Sequence, residues 1–125
     1  MYILDTHVVI WTLSDPANLS ETAKKIILNG DSLYTSILTF WEIQIKKSKG
    51  RLTFPYSVGE AVQKCSMAGI KILNIKPSHI DALDSLSHIH GDPFDRLLIA
   101  QALSEDMTII TKDEKIPPYG VKTVW

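Results

Sequence analysis

The sequence predicts an α/β fold with three layers, α/β/α, around a central parallel sheet of about five strands. Three observations predict it. Short apolar runs alternate along the chain with longer segments of helical period, which is the order of βαβ units. The opening strand candidate is continuously apolar, so the sheet is expected to be covered on both faces. The 125 residues, 45% hydrophobic and 22% charged, suffice for one core and leave little room for a second. A single domain over residues 1–125 is expected.

Met1-Tyr2-Ile3-Leu4 is the first strand and ends at Asp5. Val8, Val9, Ile10, Trp11 and Leu13 predict a short helix that Asp15-Pro16 breaks. Ser20 caps a helix from Glu21 to Leu28, with Ala23, Ile26 and Ile27 at helical spacing and Asn29-Gly30 as its stop. Leu33-Tyr34-Thr35 is a second strand, leading into a helix from about Ser36 to Lys49 that Gly50 closes. Ser57 to Ala68 is the next helix, ended by Gly69, and Ile70 to Ile75 is strand-like. Pro77, in a first turn, opens a helix reaching about His88. Asp92 to Glu105 is the clearest helix in the chain. Met107 to Thr111 and Val121 to Trp125 complete the sheet.

Composition excludes several classes. No apolar run exceeds four residues, which rules out a membrane span or a signal-peptide core. The one cysteine, Cys65, rules out a disulfide framework and a thiolate metal site, and it suits a reducing cytoplasm. Thirteen Lys+Arg against fourteen Asp+Glu give a net charge of −1. Any nucleic-acid contact must therefore come from local clusters.

Four acids stand out. Asp5 closes the first strand, where it is either a ligand or the N-cap of the next helix. Glu42 borders an apolar stripe of Ile37, Leu38, Trp41 and Ile45; its head is either held in that packed face or reaches water. In Asp92-Pro93-Phe94-Asp95, Asp92 reads as an N-cap with Pro93 at the first helical position. Asp95 is then half of a capping box, or a carboxylate on the packed face with Leu98, Ile99 and Ala102 that needs a partner. Asp113 follows a strand end and is otherwise an ordinary turn residue.

Geometry joins them. Helices in βαβ units run antiparallel to the strands, so their first turns lie over the rim where the strands end. Four carboxylates meeting there would repel one another, and a hard divalent cation, Mg²⁺ or Mn²⁺, would relieve that repulsion.

Met1-Tyr2-Ile3-Leu4-Asp5-Thr6-His7, Phe40-Trp41-Glu42-Ile43, Asp92 to Ala102 and Thr111-Lys112-Asp113 resemble the PIN-domain family. More narrowly, they resemble the VapC-type ribonuclease toxins of prokaryotic toxin–antitoxin pairs, and the match spans the chain. The resemblance implies a PIN-like five-stranded sandwich and a Mg²⁺- or Mn²⁺-dependent endoribonuclease that inhibits translation. It also implies a homodimer and a cognate antitoxin seated in the active groove. Carried over by position, the catalytic and metal-binding quartet falls on Asp5, Glu42, Asp95 and Asp113. Thr111 supports the site, with Thr6 and Arg96 as further supporting residues. Asp5, Asp95 and Asp113 are expected as ligands, and Glu42 either binds metal or orients the attacking water.

Among the basic residues, Arg96 beside Asp95, with Lys46 and Lys49 from the cluster Lys46, Lys47, Lys49 and Arg51, are the candidates for RNA phosphates. Compensation of the helix C-terminus is the cluster's simpler reading. His7 reads as structural. His88 and His90, two apart, share no helix face, so a zinc site is not expected. Trp11, Phe40 and Trp41 read as packing residues, and Cys65 as core. A phosphoacceptor receiver domain would need an acid after the third strand, and Leu73-Asn74-Ile75-Lys76 has none. A dinucleotide binder would need glycines where Asp5-Thr6-His7 stands. A non-catalytic module on the same fold, or a nuclease of RNA processing, is the alternative function.

Overall fold

The structure, a computed structural model, describes residues 1–125. Five strands form one parallel sheet: β1 (Tyr2–Leu4), β2 (Leu33–Ser36), β3 (Ile70–Leu73), β4 (Thr108–Ile110) and β5 (Thr123–Val124). Their order is β3-β2-β1-β4-β5. Six α-helices accompany them: α1 (Thr6–Ser14), α2 (Glu21–Asn29), α3 (Ile37–Ser48), α4 (Val58–Met67), α5 (Pro77–Asp81) and α6 (Pro93–Ser104). The predicted fold class is therefore the observed one. No helix is long and apolar enough to cross a membrane.

The apolar runs explain the layering. Successive side chains of a strand point to opposite faces, so an unbroken apolar run buries both. Leu4 and Ile110 join a core with Val8, Val9, Phe40, Ile43, Ala61 and Cys65 from α1, α3 and α4. Ile3 and Ile109 join a second core with Leu98, Ile99 and Ala102 from α6. All four strand residues have no exposed surface.

Local chemistry sets the helix ends. The Ser20 hydroxyl accepts the Ala23 N–H at 3.0 Å, and Ser57 and Glu60 exchange side-chain and backbone bonds as a capping box. Gly30, at φ +68°, ends α2 in the left-handed region.

The predicted helix from Pro77 to His88 is much shorter. After α5 the chain tightens into a 3₁₀ turn at Ala82–Ser85, and Leu86 is extended at ψ 135°. Beyond Leu86, which is buried against α6, Ser87 and His88 offer no apolar period to continue a helix. The segment instead travels as a loop towards the rim of the sheet.

That rim is where the topology reverses. From β1 the chain moves outward through β2 and β3, then returns to pair β4 on the other side of β1. A crevice opens beyond the carboxyl ends of strands at such a switch point.

Candidate functional site

Asp5 directly follows β1, and Asp113 lies three residues beyond β4, on the two sides of that crevice. Helices α3 and α6 return over the same edge, Glu42 in the second turn of one and Asp95 in the first turn of the other. All four carboxylates line one open cleft of about 440 Å³, together with Asp92.

Each acid is held by specific donors. The Asp5 carboxylate accepts the Val8 N–H at 3.0 Å, capping α1, and its other oxygen accepts the Thr111 hydroxyl. The cap does not take Asp5 out of the cleft, so its two sequence readings do not compete. Thr111 Oγ1 also accepts the Asp113 N–H at 3.0 Å. One hydroxyl thus ties together the chain ends leaving β1 and β4.

Glu42 is only 4% exposed. Thr6 Oγ1 donates to its Oε1 at 2.7 Å and Lys46 Nζ to its Oε2 at 2.6 Å. Its head is therefore held within the site and does not reach out to bulk water. The Asp92 carboxylate accepts the Phe94 and Asp95 N–H groups at 2.8 and 3.3 Å, which makes it the cap of α6. That frees the Asp95 carboxylate to face the cleft, where His90 Nε2 lies 3.1 Å from Asp95 Oδ2 and 2.9 Å from Asp113 Oδ2.

The electrostatics record a crowded anionic site. Burial, then repulsion from Asp92 and Glu42, pushes the Asp95 carboxyl up to about 7, against the pull of His90. Burial also raises Asp5, outweighing the Thr111 and Val8 bonds. At Asp113 burial acts upward, but the Lys115 N–H bond and His90 together bring the carboxyl below its ordinary value. A cluster of oxygen donors in which two carboxyls resist ionisation suits a hard divalent cation. Asp95 and Asp113, with His90, can each place a ligand atom within 4.8 Å of the others.

The raised Asp95 sets the sign of a pH effect. The folded protein keeps an Asp95 proton up to about pH 7 that the unfolded chain releases near 3.8. Stability from this group is undiminished below about pH 4 and falls as the pH rises through about 7. In chelator, Asp95→Asn should therefore gain on the wild type in melting temperature across that window. Parallel curves for the two proteins would show that Asp95 is not electrostatically strained.

Not every predicted residue reaches the cleft. Arg96 does not: its guanidinium donates to the Ser87 carbonyl at 2.7 Å and to Tyr119 Oη at 3.2 Å, because the loop before α6 packs against that side of the helix. Lys49, at the C-cap of α3, lies about a turn beyond Lys46 and is exposed outside the cleft. Lys47 donates to the Tyr56 carbonyl at 2.7 Å. Of the basic cluster only Lys46 lines the site. Phe40 and Cys65 are core residues, whereas Trp11 and the exposed His7 line the cleft with their rings 5.8 Å apart.

Three lining residues went unrecognised in the sequence: His90, Lys112 and Lys115. The signal was position. Lys112 and Lys115 flank an acid just past a strand end, and His90 stands two residues before a helix cap, over the same rim.

A family model described as PIN domain matches residues 2–121. The chain is 28% identical over 127 residues to Ribonuclease VapC22 of Mycobacterium tuberculosis, covering 98% of this chain and 97% of that protein. Among solved structures it resembles a chain of VapBC2 from Rickettsia felis bound to a DNA fragment from its promoter. The TM-score is 0.72 at 14% identity, covering 98% and 96% of the two chains. It also resembles a chain of a toxin–antitoxin complex from Klebsiella pneumoniae, with TM-score 0.64 at 18% identity, covering 100% and 97%.

Proposed function

Because the chain belongs to the PIN domain family, we propose that it is a Mg²⁺- or Mn²⁺-dependent endoribonuclease, the toxin of a toxin–antitoxin pair that acts on translation in the cytoplasm. The observation that carries this reading is the meeting of Asp5, Glu42, Asp95 and Asp113 in one cleft that also holds Lys46, Lys112 and Lys115. The likeness to a VapC ribonuclease and to chains of toxin–antitoxin complexes supports it. The proposal includes a cognate antitoxin, a protein that covers this cleft. The proposal includes a homodimer, for which Trp41, 62% exposed and edge-to-face with Phe94 at a centroid distance of 5.4 Å, offers an apolar face.

Asp5, Asp95 and Asp113 would hold the cation, with Glu42 as a further ligand or as the group that orients water. When bound, the cation supplies charge for the phosphoryl oxygens and acidifies water. The chain's own residues prepare that chemistry. Thr111 fixes the spacing of Asp5 and Asp113, and Thr6 with Lys46 fixes the rotamer of Glu42. Lys112 and Lys115 supply positive charge for the RNA backbone, while Trp11 presents an aromatic face on which a base can stack.

Purified protein free of antitoxin should cut single-stranded or loop RNA with Mg²⁺ or Mn²⁺ and stop when chelator is added. Equal cutting in excess EDTA would refute the metal mechanism, and no cutting under any metal would refute the nuclease.

The lysines give a separate expectation. Lys112→Ala should weaken binding across all RNA sequences and reduce the salt dependence of log K by about 0.7, the contribution of one phosphate contact on a single strand. Lys49→Ala should change neither. Equal losses in the two variants would show that general surface charge, not the cleft, binds RNA.

A further inference from the structure

We propose that His90 is a positioning residue of the cation site, which donates to Asp113 while lying against Asp95, so holds the two carboxylates in register, and is not itself a ligand. This rests on the reading of the carboxylates as a cation site and adds to it the group that sets their spacing.

Asp95 sits on α6 and Asp113 on the loop after β4, and no direct bond joins their side chains. His90 joins them, with Nε2 3.1 Å from one carboxylate and 2.9 Å from the other. The opposite edge of the ring identifies which nitrogen carries the proton. The Asp92 backbone N–H donates to His90 Nδ1 at 3.2 Å. A backbone N–H can only donate, so Nδ1 accepts and the ring proton stands on Nε2. A histidine that ligates a metal through Nε2 shows the reverse pattern, with Nδ1–H donating to a carbonyl or carboxylate. Here the Nε2–H donates to Asp113 Oδ2 with Asp95 Oδ2 only 3.1 Å from the same nitrogen, and each carboxylate keeps lone pairs free for a cation.

The loop carrying His90 is itself anchored. The His90 and Ile89 N–H groups donate to Tyr119 Oη at 2.6 and 3.2 Å, and Arg96 reaches both Tyr119 Oη and the Ser87 carbonyl. Arg96 thus serves the site at one remove, by fixing the loop that presents the imidazole. The ring is 12% exposed, so water competes little for its proton.

The test uses the full-length protein with Mn²⁺ as the titrant and two variants, His90→Ala and His90→Gln. Glutamine can place an amide N–H near the position of Nε2–H but cannot supply an imidazole ligand. His90→Ala should bind Mn²⁺ about 10- to 100-fold more weakly, the usual cost of losing a group that orients a ligand. His90→Gln should recover most of that loss. Long-range ¹H–¹⁵N spectra of the wild type should show the proton on Nε2, both without metal and with saturating diamagnetic Mg²⁺. Unchanged or tighter Mn²⁺ binding in His90→Ala, or a Mg²⁺-saturated spectrum with Nε2 unprotonated, would overturn the proposal. If alanine prevents folding, the spectra and the glutamine variant still decide. Asp95→Asn separates the two levels. Loss of Mn²⁺ binding there with normal binding in His90→Ala refutes the positioning role alone. Normal Mn²⁺ binding in Asp95→Asn refutes the cation site beneath it.

Discussion

Asp95→Ala is expected to lower the initial rate of RNA cleavage by several orders of magnitude without lowering the stability of the metal-free protein. Asp92→Ala, three residues earlier, is expected to do the opposite. The Asp92 side chain caps α6 through the Phe94 and Asp95 N–H groups, and losing such a cap typically costs about 1 kcal/mol. Its cleavage rate, at a temperature where it stays folded, should remain within about tenfold of the wild type, a change worth only about 1.4 kcal/mol in the barrier. Asp95 contributes no cap bond that its loss would break, and removing it relieves the repulsion that raises its own pKa. Melting temperature and cleavage rate measured in parallel on both variants check this. A dead Asp92→Ala enzyme beside an active but unstable Asp95→Ala would reverse the two roles.

The second large effect is metal-induced stabilisation. A cation that binds only the folded state at about one hundred times its dissociation constant adds about 2.7 kcal/mol. For a chain of this length that corresponds to a rise in melting temperature of about 10 °C. Asp5→Asn should lose most of this rise, yet be at least as stable as the wild type without metal. Asparagine keeps an oxygen for the Val8 N–H, and it removes a carboxylate that burial discourages from ionising. Thr111 can turn to accept from the new amide while still accepting the Asp113 N–H. Thermal melts of both proteins with Mg²⁺ and with EDTA would decide the matter. A less stable Asp5→Asn with an undiminished metal response would leave Asp5 as a helix cap only.

Much of this architecture could be read from local pattern. Continuous apolar runs at Tyr2–Leu4 and Thr108–Ile110, with an acid after each, placed two strands in a covered sheet and two carboxylates at its edge. The cap Asp92 and Pro93 located the start of α6 and so put Asp95 in its first turn. What stayed hidden depends on the path of irregular backbone. The stretch after α5 has no stop signal such as glycine, so a helix to His88 was expected where a 3₁₀ turn and loop occur. With a helix expected to end only at His88, nothing in the pattern turned His90, two residues further on, back towards an acid. Arg96 follows Asp95 in sequence, but adjacent helical residues face different ways, and its side chain binds the loop instead. Lys46 was named only as one of a basic cluster at the helix end; what seats it in the cleft is its place one turn from Glu42 on the same helix face.

Anomalous diffraction from crystals soaked in Mn²⁺ would show whether the carboxylates on the rim of the sheet form one divalent-cation site. One or two peaks are expected inside the cleft, with inner-sphere oxygens of Asp5, Asp95 or Asp113 at about 2.1 Å or joined through water. These peaks should vanish in Asp95→Asn. Saturating Mn²⁺ with no peak in the cleft, or a peak unaffected by Asp95→Asn, would contradict such a site.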